Sequence, residues 1–269
     1  MLMQRVITAT LLFAGVLALL FSENDQAWFV FVLLSTLICA WEWAGLAAIK
    51  RPWQRWMYAL LVVALSAWLA LSASVHVSEW MTLTVTVIMV AAVLVYQATA
   101  GAYSVRSQLG ILSLGGLVLA NFAVLLVAFL EHYSPLILLL SLFVIWAIDT
   151  GAYFSGRRFG RRKLAPHVSP GKTWEGVLGG GLLAFVVAWL GLIWLAPSLS
   201  ISYALAALCF AAVALVSVFG DLFESLLKRQ AGLKDSSRIL PGHGGLLDRA
   251  DSLLIAVPMF FFVWTWIRL

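Results

Sequence analysis

Charge is scarce in this chain. Of its 269 residues only 11% are Asp, Glu, Lys or Arg, while 63% are hydrophobic; soluble chains carry roughly 25% charged residues. So little charge excludes a water-soluble globular design, and a mean hydropathy of +1.01 with repeated apolar runs of membrane length points to a polytopic membrane protein. Cysteine is nearly absent. Cys39 and Cys209 both fall inside apolar runs, where they read as small packing residues, since a disulfide framework or a thiolate metal site needs clustered ligands. The polar–apolar alternation of a transmembrane strand is missing as well, which leaves helices. There is no internal repeat, low-complexity tract or soluble domain. The run 6–21 has the length of a signal peptide, but SENDQ follows it without a small-x-small cleavage site, so it reads as a retained first helix.

What is present is a series of about nine apolar segments, 6–21, 27–48, 56–75, 80–101, 109–129, 135–154, 176–197, 201–219 and 252–267. The expected fold is all-α: a polytopic transmembrane helical bundle of about nine spans with a cytoplasmic N-terminus. The first and last segments are short, about 16 residues or roughly 24 Å of helix. Residues 1–134 would supply about five spans, and 135–269 a catalytic region with cytoplasmic loops at 156–175 and 220–251.

The orientation follows from the basic residues. Arg5, the Lys50–Arg55 group, Arg106, six residues between Arg157 and Lys172 and five between Lys228 and Arg249 all fall on one side. Only Arg268 falls opposite, with Glu23, Asp25, Glu79 and Glu131; the positive-inside rule makes the basic side cytoplasmic. Trp28, Trp53, Trp56, Trp80, Trp264 and Trp266 lie near segment ends and read as an aromatic belt. GVLGGG at 176–181 offers small residues for close helix packing, and leaves room for a homodimer.

Polar chemistry is confined to a few places. Ten charged residues fall between Gly220 and Asp251. If GDLFESLLKR continues the preceding helix, Asp221, Glu224, Ser225 and Lys228 share one face; Asp248, Asp251 and Ser252 in DRADS repeat that spacing. Two such helix ends could hold a hard cation such as Mg2+, which shares its shell with phosphates and water. The same acids could instead form solvated pairs with Lys228, Arg229 and Arg249. Between them, LPGHGG is either a phosphate-cradling loop or the turn that joins the helices. Its His243 reads as a hydrogen-bonding residue before it reads as a general base.

The basic loop Gly156–Glu175 would attract anionic headgroups. Within it SPGKTWEG offers Ser169, Lys172 and Thr173 without the spacing of a Walker loop. Asp149, near the end of an apolar segment, is a functional candidate because an acid at that depth is costly. Glu42 in WEW is a weaker one that can snorkel to the interface.

Together these pieces resemble the phosphatidate cytidylyltransferases, or CDP-diacylglycerol synthases. SLLKRQAGLKDSSRILPGHGGLLDRAD, Ser225 to Asp251, is similar to that family's long signature, and DTGAYFSGRRFGRRKLAPHVSPGKTWEG to the segment before it. The resemblance covers roughly residues 145–252. It implies transfer of CMP from CTP to phosphatidic acid by in-line attack on the α-phosphorus, in the bacterial inner membrane with the active site on the cytoplasmic side. It implies catalytic roles for Asp221, Asp248, Asp251, Lys228 and Arg229. Mg2+ would be held by Asp221 and Asp248, with Asp251 and Glu224 as further ligands and a second cation conceivable. Substrate would be bound by Asp149, Ser169, Lys172, Thr173, Ser225, Lys234, Asp235, His243, Gly244, Gly245 and Arg249. The partners expected are CTP, phosphatidic acid and membrane lipid, without nucleic acid. Competing readings are a CTP-dependent polyprenol or diacylglycerol kinase, a cation transporter with Asp149 and Asp221 on its pathway, and a homologue that has lost activity.

Overall fold

The computed structural model describes residues 2–72, 75–102, 105, 107–196 and 199–268. Arg106, counted above for orientation, lies outside them. The elements are α1 (Leu2–Leu20), α2 (Asp25–Leu46), α3 (Pro52–Ser72), α4 (Val75–Ala98), α5 (Gln108–His132), α6 (Pro135–Phe159), β1 (Lys163–Ala165), β2 (Ser169–Thr173), α7 (Trp174–Leu195), α8 (Tyr203–Gln230), α9 (Leu247–Ala250) and α10 (Leu253–Arg268).

Each apolar run becomes a helix, so the polytopic, all-helical class holds. Among the described residues eight stretches are long and apolar enough to cross a membrane, the last running Leu247–Arg268; the described apolar part of α1, Thr10–Leu20, is shorter. Two helices outrun their apolar segments. α6 reaches Phe159 and α8 reaches Gln230, because neither extension contains a proline and each ends in a basic pair that suits a helix C-terminus, Arg157–Arg158 and Lys228–Arg229.

The chain forms two compact units. The first comprises Met1–Met81, Val105–Pro135 and Leu227–Asp251. Here α2, α3 and α5 pack together, and polar tips fasten them. The Trp43 indole donates to the Ile111 carbonyl (2.9 Å), the Tyr58 hydroxyl to the Leu112 carbonyl (2.8 Å), and the Gln108 amide to the Ala47 carbonyl (2.8 Å). In a dry interior such groups must find partners, so these bonds fix helix register as well as helix contact.

The second unit comprises Thr82–Ser104, Leu136–Leu226 and Ser252–Leu269. α6 and α7 meet backbone to backbone: a methyl on Gly151 would stand 2.9 Å from the Gly180 Cα. The small-residue stripe of GVLGGG is therefore used within the chain, against Ile148, Gly151 and Ala152 of α6, while Gly181 meets Leu215 of α8. Phe210 lies 4.9 Å from Phe260 and 5.0 Å from Trp264, centroid to centroid, all three fully buried. The Trp264 indole donates to Ser141 (3.1 Å).

Two expectations need correcting. Trp28 and Trp264 are not part of an aromatic belt; both are buried, and Trp28 donates to the Leu126 carbonyl (3.2 Å). Trp53, Trp56, Trp80 and Trp266 are exposed, as a belt requires. The basic loop after α6 is not irregular throughout, since β1 and β2 form an antiparallel hairpin with Lys163 opposite Thr173.

Candidate functional site

The polar residues of the second unit gather where the hairpin joins α7. The Thr173 hydroxyl caps α7 by accepting from the Gly176 amide (3.2 Å). The Glu175 carboxylate, in the first turn, accepts from the Arg161 (3.0 Å) and Arg162 (3.2 Å) amides. These bonds tie the hairpin to the helix and set the intervening Lys172, whose ammonium pairs with the Asp221 carboxylate of α8 at 2.6 Å. The other Asp221 oxygen accepts the Ser225 hydroxyl one turn later (3.2 Å). A cavity of about 580 Å³ opens here, lined by Asp149, Tyr153, Arg157, Lys172, Thr173 and Asp221 among others. Asp149, Lys172, Thr173 and Asp221 are therefore brought together as expected residues of one cavity. Ser225 stands behind Asp221, Ser169 is half-buried at the start of β2, and Glu224 is buried.

The polar residues of the first unit organise the signature loop. Asp248, at the start of α9, uses both carboxylate oxygens. Oδ1 pairs with the Lys228 ammonium at 2.7 Å. Oδ2 accepts from the Ser236 amide (2.9 Å), the Ser236 hydroxyl (2.9 Å) and the Gly245 amide (2.8 Å). The Lys228 and Asp248 side chains are only 12% and 5% exposed, so this is not the solvated pair that the blander reading of the sequence foresaw.

The glycines of LPGHGG have specific reasons. Gly244 has φ +82°, and a Cβ there would come within 2.7 Å of Asp248 Oδ2. A Cβ on Gly245 would run into the Ser236 hydroxyl and the Glu42 carboxylate. The loop is thus wrapped around carboxylates. His243 contributes its amide to the Leu240 carbonyl (2.9 Å), and its buried Nδ1 has no hydrogen-bond partner among the described residues. Arg229, Lys234, Asp235 and Arg249 are exposed and form no ion pair among the described residues; Asp251 is half-buried.

The residue that the sequence left in the background is Glu42. It is fully buried on α2. Its Oε1 accepts from the Ser237 hydroxyl (2.5 Å) and the Leu246 amide (3.0 Å), and its Oε2 from the Ser236 hydroxyl (3.2 Å) and the Leu247 amide (2.7 Å). An acid in an apolar span was a signal in itself, because an unpartnered buried carboxylate costs several kcal/mol. Its donors, though, lie about 200 residues further along the chain, out of reach of local pattern.

The fit to a divalent cation rests on the donor set and on the lysines. Among the described residues no three His, Cys, Asp or Glu side chains are grouped to hold a metal ion. Mg2+ needs fewer, since one or two carboxylates suffice when phosphates and water complete its shell. Asp221 and Asp248 each have one oxygen held by hydroxyl or amide donors, while the other carries a lysine ammonium. Each thus already presents an oxygen to a cation, and the residues fit the group.

The comparisons agree on one family. The sequence model of the cytidylyltransferase family matches residues 3–267. A phosphatidate cytidylyltransferase of Haemophilus influenzae is 38% identical over 97% of this chain and 97% of its own. One of Pseudomonas aeruginosa is 41% identical over 97% of this chain and 96% of its own, and one of Bacillus subtilis is 43% identical over 50% of this chain and 49% of its own. The chain belongs to the cytidylyltransferase family.

Proposed function

We propose that this protein is a membrane-embedded phosphatidate cytidylyltransferase, moving CMP from CTP to phosphatidic acid to give CDP-diacylglycerol and pyrophosphate. The observation that carries the reading is the cavity of lysine and carboxylate let into the ends of the apolar helices α6, α7 and α8. One substrate is held in the bilayer by two acyl chains and the other is a charged, soluble nucleotide. A reaction between them requires polar groups at the end of apolar elements. The one-sided distribution of Lys and Arg supports a cytoplasmic site in the bacterial inner membrane.

In the reaction a phosphate oxygen of phosphatidate forms a bond to the α-phosphorus of CTP. The bond from that phosphorus to the oxygen bridging the β-phosphate breaks, and its electron pair leaves on pyrophosphate. The attacking oxygen is already ionised at neutral pH, so the step needs no general base, and His243 is left a binding role. Catalysis then consists of positioning and of neutralising charge. Lys172 and Arg157 face the cavity as cations for phosphate oxygens, with Lys172 released from Asp221 when an anion arrives. Asp221, with Asp149 beside it in the same cavity, would hold Mg2+, and Oδ1 of Asp248 would hold a second cation. Bound there, a divalent ion supplies neutralisation of the charge that develops on the pyrophosphate. Arg229, Lys234 and Arg249 are exposed cations of the signature segment available to the nucleotide, and Ser169, Thr173 and Ser225 are neutral donors beside the charged groups.

The test uses the purified protein in detergent with phosphatidate, α-labelled CTP and Mg2+. Label in the lipid fraction with equimolar pyrophosphate, abolished by chelator and restored by Mg2+, is the expected outcome. CDP release with diacylglycerol or polyprenol would replace this reading with that of a lipid kinase. No transfer to any lipid, in protein that remains folded, would remove both.

A further inference from the structure

We propose that Glu42, in the N-terminal half of the chain, is a positioning residue of the transfer site. The inference rests on the reading that Asp248 and Lys228 belong to that site.

α9 begins at Leu247, and its N-cap residue Leu246 offers no side-chain cap. The first amides of a helix need acceptors, and local sequence supplies none. Glu42 supplies them from α2, taking the Leu246 and Leu247 amides on separate oxygens (3.0 and 2.7 Å). Those two residues immediately precede Asp248. The same carboxylate accepts the hydroxyls of Ser236 and Ser237 from the far end of the loop.

Ser236 is the link to the site. Its hydroxyl lies 3.2 Å from Glu42 and 2.9 Å from Asp248, while its amide donates to Asp248 (2.9 Å). A hydroxyl has one proton, so it serves the two carboxylates by turns, and both acids must stay in place for Ser236 to lie between them. Glu42 thereby fixes both sides of the loop around Asp248, and Asp248 fixes Lys228. The Gly245 position fits this account: its missing side chain leaves the space in which the Glu42 carboxylate and the Ser236 hydroxyl meet.

Glu42→Gln keeps size and shape but turns one acceptor into a donor, which must then face the amide of Leu246 or of Leu247. The serine hydroxyls can reverse, but a backbone amide cannot. Displacements of this kind cost about 10- to 100-fold in rate. The expected result is a kcat lower by about that factor, with KM for CTP changed by less than about three-fold. Amide hydrogen exchange should accelerate within residues 236–248 and stay at the wild-type rate in α3 and α5. Ser237→Ala, which leaves the carboxylate intact, should fall between. In an Asp248→Asn background Glu42→Gln should add little, because both changes undo one arrangement.

Wild-type kcat in Glu42→Gln would overturn the inference. So would acceleration of exchange throughout α2, α3 and α5, which marks a scaffold role. If Glu42→Gln does not fold, Ser236→Ala and Ser237→Ala decide the matter, and wild-type kcat and exchange in both would overturn it. Asp248→Asn at wild-type activity would instead remove the reading of the site on which the inference rests.

Discussion

Replacing Asp248 by Asn removes one charge and one acceptor from a carboxylate that has four donors around it. An amide has two orientations in that position. With its oxygen toward the loop, it keeps the Ser236 and Gly245 amides and turns an NH2 toward the Lys228 ammonium. With its oxygen toward Lys228, it turns the NH2 toward two backbone amides that cannot reverse. Either way a donor faces a donor. The Lys228 side chain is only 12% exposed, so its charge has little water to fall back on. Breaking a buried pair by removing one partner costs about 3–5 kcal/mol of stability, and the residual exposure argues for the lower end, about 3 kcal/mol. The loop and Lys228 then lose their fixed positions, and because misplacement of the groups around a reaction costs about 100-fold in rate, turnover should fall by about that factor. The assay is transfer of α-label from CTP to phosphatidate, read beside size-exclusion elution and helical content in the same detergent. Folded Asp248→Asn with near-wild-type turnover would refute the argument that this carboxylate organises the site.

The cavity pair behaves differently. Lys172 and Asp221 are 25% and 30% exposed, so their pairing adds at most about 1 kcal/mol to stability, and Lys172→Gln should melt within a few degrees of wild type while kcat/KM for CTP drops about 100-fold; a melting temperature that falls as far as activity does would contradict this. Gly245→Ala places a methyl on the Ser236 hydroxyl and the Glu42 carboxylate, and transfer should fall about ten-fold or more, whereas wild-type transfer would show that the loop tolerates more movement than its packing implies. Trp264→Ala empties the fully buried position against Phe210 and removes the indole donor from the Ser141 hydroxyl, which keeps its own bond to the Ile137 carbonyl; this should cost about 3–5 kcal/mol of stability yet leave KM for CTP in the folded fraction unchanged, and a raised KM would show that the effect of Trp264 reaches the site.

Much of the fold was legible because a helix that crosses lipid must be predominantly apolar over about 20 residues. Hydropathy therefore located every helix of membrane length, though not the four-residue α9, and helix-compatible residues after the apolar stretch located the polar extension of α8. What eluded the sequence was partnership. Lys172 and Asp221 are paired across 49 positions and Glu42 and Leu247 across 205, and no periodicity reports such distances. Trp28 and Trp264 were read as belt residues because they sit near helix ends, but an indole N–H finds an internal carbonyl or hydroxyl as readily as an interface. The hairpin was missed because three- and five-residue strands are too short for alternation to register. Its pairing is fixed instead by Glu175 holding the Arg161 and Arg162 amides.

The two lysine–carboxylate pairs show how charge can be kept in a chain so poor in it. Lys172–Asp221 lines a cavity, and among the described residues Asp221 is otherwise held by a single serine hydroxyl. On the proposed reading an incoming phosphate would draw off the ammonium and a metal ion would replace it at the carboxylate, so the resting pair stores both charges at little cost. Lys228–Asp248 is nearly closed to solvent, and Asp248 is bound through its second oxygen to both ends of a loop that a further carboxylate, Glu42, grips from behind. There four backbone amides, which cannot reverse, hold the two carboxylates, so a cation exchanging for Lys228 at Oδ1 would find the oxygen already aimed and the loop already folded. The first arrangement suits groups that must change partners during turnover, and the second suits groups that must not move while they do. A reaction that needs no proton transfer and consists of bringing two anions together requires both kinds, and each of the two lysine–carboxylate pairs provides one of them.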